Sequence, residues 1–286
     1  RHGVCGGPAT PMSGAVRCAV EALVLDTAVG PKPGAVDRYH DHPELRADQF
    51  VAGAVGAMAG LTAAAGDGPL GAAFHTAATG MADAAGTNTH FGSLLLLVPL
   101  VRAAATDRLD PVGVEGVLDA TTVADAVAFL EALRVVDVRL APIGESEGAL
   151  DATDPDRAIA TVEREQLTWA QLLAASPVDA NAAIWQSGFT PVFETADRFA
   201  RGLPLGPQIP AVFTETLQTH RDSHIIATHG EGTARWVQHL AVHARSRAHL
   251  DAQLRTRAVS PGATADHVTA AVFIARIRRG AHHDGP

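Results

Sequence analysis

One short segment of the chain carries the residue types that bind a phosphate chain together with a divalent cation. Pro31–Asp37 holds the only lysine of the protein, Lys32, between two prolines, followed by Gly34 and a carboxylate. Prolines stiffen a loop, glycine permits a close approach of the backbone, and an ammonium is a compact charge that arginine does not replace. We expect an exposed loop in which Lys32 contacts phosphate and Gly34 approaches the ligand. An ordinary interhelix loop is the alternative.

A second polar segment, Gly86–Gly92, precedes a helix that is expected to begin near Phe91. The start of a helix offers free N–H groups to an anion, and flanking glycines leave room for one. His90 would add a hydrogen-bond donor or take part in proton transfer. In the simpler interpretation, Asn88 or Thr89 is only the N-cap of that helix.

Two more polar segments follow in the C-terminal half. The first begins at Asp222 and continues to Gly232, and the second is Ser260–Asp266, which contains Gly262 and opens the last helix. Asp266 would lie in the first turns of that helix, where a carboxylate also favours the helix dipole. We expect Ser260–Asp266 to meet the lysine segment and the Gly86–Gly92 segment at one pocket.

Composition excludes several classes of protein. The chain has 286 residues, 47% of them hydrophobic, and a net charge of −9, so a general nucleic-acid or membrane-surface binder is disfavoured because either needs a basic face. The longest apolar run, Ser93–Val101, is far too short to span a bilayer. Cys5 and Cys18 give neither a disulfide framework nor a metal spacing, which suits a reducing cytoplasm.

Apolar residues recur with helical periodicity along most of the chain. The pattern predicts the first helix from a cap at Ser13 to a stop at Gly30, and it predicts N-caps at Asp110, Thr122 and Asp154. Further helices are predicted over residues 45–65, 71–84, 91–105, 180–201, 209–219, 233–257 and 263–279.

Strand signals are nearly absent. Val135–Ile143 alternates apolar and polar residues, but it stands alone and has no sheet to join. We therefore predict an all-α fold with a single multi-helix domain over residues 12–286, preceded by an N-terminal extension over residues 1–11. Ile143–Asp156 is expected to be a surface loop, and a homo-oligomer is left open.

The order and the amino-acid sequences of the polar segments resemble those of the triphosphoribosyl-dephospho-CoA synthase family. That family has Pro-Lys-Pro-Gly-Leu-Val-Asp where this chain has Pro31–Asp37, Gly-Val-Asn-Thr-His-Lys-Gly where it has Gly86–Gly92, and Ser-Pro-Gly-Gly-Ser-Ala-Asp where it has Ser260–Asp266. An aspartate followed by a His/Gly segment and a Trp-Val-Gln-like helix corresponds to Asp222–Gln238. The resemblance covers about Glu21–Ile274.

The chain also departs from the family pattern. Phe91 stands where the family usually has lysine, which implies fewer positive charges near the phosphates or a different acceptor. Arg38–Pro43 replaces an Asn-Gly-Ala-His-x-Asp-Met run, and the middle region, Thr121–Phe199, resembles a divergent branch found in archaea and C1-metabolising bacteria.

The resemblance implies an all-helical enzyme in which the 2′-hydroxyl of dephospho-CoA attacks C1′ of the ATP ribose and adenine leaves. The partners would be ATP and a small-molecule hydroxyl acceptor, and Mg²⁺ would accompany the triphosphate. Carried onto this chain, the proposed catalytic residues are Asp37, His90 and Asp266, the metal ligands are Asp37, Asp222 and Asp266, and the nucleotide-binding residues are Lys32, Gly34, Asn88, Thr89, Gly92, Ser260 and Gly262.

Two other functions stay open at this point. Fourteen histidines and many aspartates would suit a helical metal-dependent phosphohydrolase. A nucleotide-binding protein without turnover is the third alternative. Release of adenine distinguishes the transferase from both.

Overall fold

The computed structural model describes residues 11–136, 154–175 and 179–280. Within these ranges the chain is all α-helical, with one short 3-10 helix over Gly206–Gln208 and no strands. None of the described helices is both long and apolar enough to cross a membrane. The helices are α1 (Pro11–Ala28), α2 (Ala47–Gly56), α3 (Met58–Ala64), α4 (Leu70–Ala85), α5 (Phe91–Ala105), α6 (Pro111–Asp119), α7 (Val123–Val135), α8 (Pro155–Glu165), α9 (Trp169–Ala174), α10 (Ala180–Gln186), α11 (Thr190–Asp197), α12 (Ile209–Thr219), α13 (Ser223–His229), α14 (Glu231–His243), α15 (Arg247–Thr256) and α16 (Gly262–Gly280).

Three of the predicted N-caps, Asp110, Thr122 and Asp154, are confirmed by their side-chain hydrogen bonds. Asp110 accepts from the Gly113 N–H at 2.8 Å, and Asp154 caps α8 in the same way. Thr122 and Asp125 form a reciprocal capping box at the start of α7. Each cap satisfies N–H groups that the helix itself leaves open.

Several helices that the apolar pattern joins are separate in the structure. Residues 45–65 divide at Ala57 between α2 and α3, and residues 180–201 divide at Phe189, whose φ of 62° ends one helix before α11 begins. Residues 233–257 divide before Ser246, which caps α15. Periodicity does not detect these breaks because the apolar face continues across each of them.

The ends of the chain and its middle differ from the prediction or lie outside the described residues. Helix α1 begins at Pro11, inside the predicted extension and before the predicted cap at Ser13. The rest of the extension, residues 1–10, falls outside the described ranges, as do the alternating stretch from residue 137 onward and most of the loop predicted over 143–156.

Helix α5 lies at the centre of the molecule. Its residues from Ser93 to Val101 are all buried, and it packs against α1, α4, α10 and α16. Helix α16 is similarly central, since it contacts α1, α5, α11, α12 and α13. Because α5 and α16 each begin at a polar segment and pack on each other, two of the polar segments are carried into the interior.

Candidate active site

Lys32 is turned into the protein. Its side chain is only 1% exposed, its ammonium forms an ion pair with Asp26 of α1, and Nζ lies 5.6 Å from the centroid of the Phe213 ring. The expectation of an exposed loop lysine is therefore wrong. A carboxylate that neutralises the ammonium, together with an aromatic face, makes its burial tolerable.

Asp37 organises the loop that contains it. One carboxylate oxygen accepts from the N–H of Tyr39 at 2.9 Å and contacts His40 Nδ1 at 3.1 Å, and the other accepts from the Lys32 N–H at 3.0 Å. The Arg255 guanidinium lies 3.7 Å away. A carboxylate has about four lone-pair positions; three of them accept these hydrogen bonds, and the guanidinium faces Oδ2 as an ion pair. Asp37 is thus committed to holding the loop rather than open to a metal ion.

The close approach at Gly34 is to another helix. Its φ is +73°, its N–H donates to Asp251 of α15 at 2.9 Å, and a Cβ placed there would lie 3.0 Å from Leu254 and against the carbonyl of Val259. The space expected for a ligand is therefore occupied by α15 and the segment that leads into α16. Gly34 joins the lysine loop to that segment.

The start of α5 has open N–H groups. Asn88 accepts from the Phe91 N–H at 3.2 Å, which caps the first residue of the helix. The next two N–H groups, those of Gly92 and Ser93, precede the first intrahelical bond and have no acceptor among the described residues. Two open donors at the positive end of a helix dipole favour an anion.

His90 presents an acceptor rather than a donor. Its Nε2 lies 3.0 Å from the carbonyl oxygen of Phe50. Because a carbonyl only accepts, Nε2 carries the proton in the neutral ring, and Nδ1 is left with a lone pair. Nδ1 is buried and has no partner in the described chain. Burial lowers the pKa of His90, so the ring is neutral at pH 7.

Phe91 faces the core instead of the polar site. Its ring packs edge-on against Phe74 at 5.1 Å between centroids and lies 6.1 Å from Phe129. The change from the family's lysine at this position therefore gives no information about the charge around a phosphate, because the side chain points away from the open N–H groups of α5.

Asp266 of α16 meets the start of α5 and the start of α10. Its Oδ1 accepts from Ser93 Oγ at 2.6 Å, and its Oδ2 accepts from Asn181 Nδ2 at 3.3 Å. A Cβ added to Gly92 would overlap the Asp266 carboxylate, so only glycine at that position allows this approach. The Gly86–Gly92 segment and the Ser260–Asp266 segment thus come together here, as expected from the sequence.

The environment of Asp266 changes its acidity. Burial raises the pKa of its carboxyl to about 7, opposed by the hydrogen bonds from Ser93 and Asn181 and assisted by the negative charges of Asp26 and Asp222. Asp26, the partner of Lys32, lies on α1, which packs against both α5 and α16, and the charges of Asp26 and Lys32 also influence the pKa of His90. A carboxyl that titrates near pH 7 can take up or release a proton under physiological conditions.

Asp222 fastens two helices to each other. Its Oδ1 accepts from the Ile225 N–H at 3.0 Å as the N-cap of α13, and its Oδ2 accepts from the N–H and the hydroxyl of Thr264 at 2.7 and 2.8 Å. In the polar segment that begins at Asp222, the residues Ser223–His229 form α13. The carboxylate fixes the first turn of α16, on which Asp266 lies.

Ser260 and Gly262 shape the entry into α16. The carbonyl of Ser260 accepts from the Gly262 N–H at 3.0 Å. A Cβ on Gly262 would lie 3.1 Å from the ring of His224, so the glycine lets α13 approach α16.

Four side chains at this site were not predicted from the sequence: Asp26, Ser93, Asn181 and Thr264. Asp26 belongs to a regular helix and Ser93 to an apolar one, so neither stands out from its surroundings. Asn181 follows the capping Asp179, whose pKa is raised by burial. No local signal in the sequence marks these four side chains as members of the site.

The carboxylates at this site can bind Mg²⁺ only if the phosphates of a substrate supply further ligands. No group of three or more His, Cys, Asp or Glu side chains suited to a metal ion occurs in the part of the chain that the structure describes. By lone-pair count, Asp37 and Asp222 each have one position left and Asp266 has two, and the position left on Asp37 faces the Arg255 guanidinium. Mg²⁺ is usually bound by one or two carboxylates together with substrate phosphates, and Asp222 and Asp266 fit that arrangement.

Comparison with known proteins adds two findings. Residues 12–284 match the sequence model of the CitG family, described as ATP:dephospho-CoA triphosphoribosyl transferase. The structure is similar to the crystal structure of a proposed triphosphoribosyl-dephospho-CoA synthase from Archaeoglobus fulgidus, with a TM-score of 0.64, 21% identity, and coverage of 79% of this chain and 97% of that one. At that identity the structural similarity concerns the fold alone. No curated protein matches the sequence.

Proposed function

We infer that this chain, which belongs to the ATP:dephospho-CoA triphosphoribosyl transferase family, transfers the triphosphoribosyl group of ATP to a hydroxyl group of dephospho-CoA. The observation that carries the proposal is the Asp266 carboxyl, whose pKa is raised to about 7, beside the open N–H groups at the start of α5. A base for a hydroxyl and a binding position for a polyphosphate thus lie side by side.

In the proposed reaction, the bond between C1′ of the ATP ribose and N9 of adenine breaks, and C1′ bonds to the acceptor oxygen. The hydroxyl proton passes to the Asp266 carboxylate, the electron pair of the broken bond leaves with adenine, and adenine gains a proton from solvent. A base is most effective when its pKa lies near the working pH. C1′ becomes positively charged in the transition state of glycosyl transfer, and the carboxylates of Asp26 and Asp222 favour that charge.

The start of α5 supports a role in holding the triphosphate. The N–H groups of Gly92 and Ser93 point along the helix axis toward its positive end, and Asn88 fixes the turn that presents them. The triphosphate stays on the transferred sugar, so its binding energy can contribute to catalysis at C1′. Lys32, held in its ion pair with Asp26, is proposed to supply positive charge beneath the phosphates rather than to bind them directly.

His90 and Thr89 are proposed to contact the nucleotide through atoms that lack protein partners. His90 Nδ1 and Thr89 Oγ1 are both buried and without a hydrogen-bond partner among the described residues. A buried polar atom without a partner costs about 1–3 kcal/mol, and a ligand hydroxyl or amino group would remove that cost. His90 then acts as a hydrogen-bond acceptor.

Mg²⁺ is proposed to enter with ATP and to be held by Asp222 together with the phosphates, which leaves Asp266 free to accept the hydroxyl proton. When bound, it would neutralise phosphate charge. Asp37, which accepts three hydrogen bonds within its own loop, would keep that loop in place.

The test is to incubate the protein with ATP, Mg²⁺ and dephospho-CoA and to identify the products by mass spectrometry. Adenine together with dephospho-CoA enlarged by one triphosphoribosyl group is the expected result. Inorganic phosphate without adenine would instead indicate a phosphohydrolase, and unchanged ATP would indicate a nucleotide-binding protein without turnover.

A further inference from the structure

Asn181 has an amide oxygen that no group in the described part of the chain satisfies. The residue is 6% exposed, and its Nδ2 donates to Asp266 Oδ2 at 3.3 Å. Its Oδ1 is buried and has no hydrogen-bond partner among the described residues. Leaving such an acceptor unpaired costs about 1–3 kcal/mol, so a ligand that donates a hydrogen bond at this point would be favoured.

The orientation of the amide follows from its neighbours. Asp266 receives hydrogen bonds from Ser93 Oγ on one oxygen and from Asn181 on the other. A carboxylate that accepts must face the NH₂ group of an amide rather than its oxygen. Oδ1 of Asn181 therefore points away from the carboxylate while remaining next to it.

These two groups suit a pair of adjacent hydroxyls. A hydroxyl has one proton, so the group that gives its proton to Asp266 cannot at the same time donate to Asn181. The amide oxygen needs a second donor, and the position beside the carboxylate fits the neighbouring hydroxyl of the same sugar ring. The start of α5 borders the same place, because a Cβ on Gly92 would lie 2.6 Å from Asn181 Nδ2.

We propose that Asn181 determines acceptor specificity by accepting a hydrogen bond from the 3′-hydroxyl of dephospho-CoA while the 2′-hydroxyl faces Asp266. The inference rests on the proposed function and extends it to the acceptor. Phosphorylation of the 3′-position replaces the donor by oxygens that only accept and carry charge, and these would repel the amide oxygen. The site is thereby selective for dephospho-CoA over CoA.

The experiment couples a change in the protein with a change in the ligand. The affinities of dephospho-CoA, its 3′-deoxy analogue and CoA are measured by calorimetry for the wild-type protein, Asn181→Ala and Asn181→Leu. A site built to hydrogen-bond a hydroxyl rejects an analogue that lacks it, so we expect the wild-type protein to bind the 3′-deoxy analogue at least about 10-fold more weakly. In both variants the ratio of the affinities for dephospho-CoA and its 3′-deoxy analogue should fall below about 3-fold. The variants lack the amide oxygen that recognises the 3′-hydroxyl, so the two changes are not additive.

Gln186→Ala is the matched control. Gln186 belongs to the same helix, but its amide bonds to the carbonyls of Leu173 and Ala174. This variant should keep the wild-type ratio. Equal ratios in the wild-type protein and in the Asn181 variants would overturn the proposal.

Two further measurements distinguish a wrong acceptor assignment from a failure of the proposed reaction. One outcome is that the Asn181 variants change the affinity ratio of ATP to 3′-deoxy-ATP and leave the ratio of dephospho-CoA to its 3′-deoxy analogue unchanged. In that case Asn181 contacts the donor sugar and the acceptor assignment is wrong. If the wild-type protein binds dephospho-CoA with the expected coupling but releases no adenine from ATP, the specificity assignment stands and the proposed reaction fails. Absence of dephospho-CoA binding to the wild-type protein would overturn both.

Discussion

At the scale of single residues, the Asp26–Lys32 pair gives the sharpest stability prediction. Lys32→Met should destabilise the protein by roughly 3–5 kcal/mol, because it leaves the buried Asp26 carboxylate without its counter-charge. Adding Asp26→Asn should restore most of the stability by removing the unpaired charge. Urea denaturation of the three proteins measures this.

The same variants separate folding from function. If Lys32 supplies charge to the phosphate site, the double variant should fold well and still bind ATP poorly. A Lys32→Met protein as stable as the wild type would contradict the buried pair, and wild-type ATP affinity in the double variant would remove Lys32 from the nucleotide site.

The burial of Lys32 could not be predicted from the sequence. A lysine between prolines and before glycine is typical of an exposed turn, and its partner Asp26 lies on the preceding helix with nothing local to distinguish it. The contacts that define Asp266 are also remote: its partners Ser93 and Asn181 are 173 and 85 residues away along the chain. Sequence segments could indicate that Asp266 belongs to a site, but not which side chains surround it.

The raised pKa of Asp266 also predicts that the stability of the protein depends on pH. Its pKa is about 7 in the folded protein, against 3.8 for the carboxyl of an unperturbed aspartate, which represents the unfolded chain. The unfolded chain therefore loses its proton first as the pH rises, so the stability contributed by the protonated carboxyl is complete below about pH 3.8 and is lost progressively up to about pH 7. Asp266→Asn cannot ionise and escapes this loss.

The corresponding measurement is a series of thermal melts between pH 4 and pH 8. The melting temperature of Asp266→Asn should rise relative to the wild type with increasing pH and should level off above pH 7. A constant difference across the series would show that Asp266 ionises normally. Stabilisation by removal of an active-site charge would agree with the usual opposition of stability and activity.

At the scale of helices, local signals could be predicted from the sequence and tertiary breaks could not. The caps at Asp110, Thr122 and Asp154 depend on residues within three positions, so the sequence alone identifies them. The break at Phe189 depends on a left-handed backbone conformation at a residue that is rarely found in one. Such a conformation is imposed by packing, which the apolar pattern does not contain.

The contact between α2 and α4 gives a prediction at this scale. A Cβ on Gly80 would overlap the carbonyl of Gly56 on the facing helix, so Gly80→Ala should destabilise the protein by about 1–3 kcal/mol through overpacking. Gly116→Ala is the matched control, because Gly116 also lies inside a helix but has nothing within 4 Å of the added atom.

In the control, alanine should stabilise the protein by roughly 0.5–1 kcal/mol, since it is the better helix former. Chemical denaturation of both variants provides the comparison. Equal stabilisation of the two would mean that α2 and α4 do not approach as closely as the structure has them.

At the scale of the whole molecule, charge decides how the substrates bind. The protein carries a net charge of −9, and ATP and dephospho-CoA are both anionic. The carboxylates of Asp26, Asp222 and Asp266 share one region of the interior, where they influence the pKa of Asp266. A triphosphate entering this region needs positive charge in addition to the buried Lys32.

We therefore expect ATP affinity to depend on Mg²⁺. Titration of ATP with and without a chelator should give at least about 10-fold weaker binding when the ion is removed, since Mg²⁺ bridges carboxylates and phosphates. Asp222→Asn should reduce this dependence, whereas Asp110→Asn, a cap remote from the site, should preserve it. Equal ATP affinities with and without chelator would remove the metal from the account.

Asp266, where the polar segments meet, is proposed to be the base of a triphosphoribosyl transfer. The most direct test is the rate of adenine release from ATP with dephospho-CoA and Mg²⁺, measured across pH 5–9 for the wild type, Asp266→Asn and the Asp110→Asn control. The rate for the wild type and the control should rise to a plateau through about pH 7. Asp266→Asn should be slower by about 10²–10⁴-fold, as expected for loss of a general base. A variant that releases adenine at the wild-type rate with the same pH profile would contradict the account.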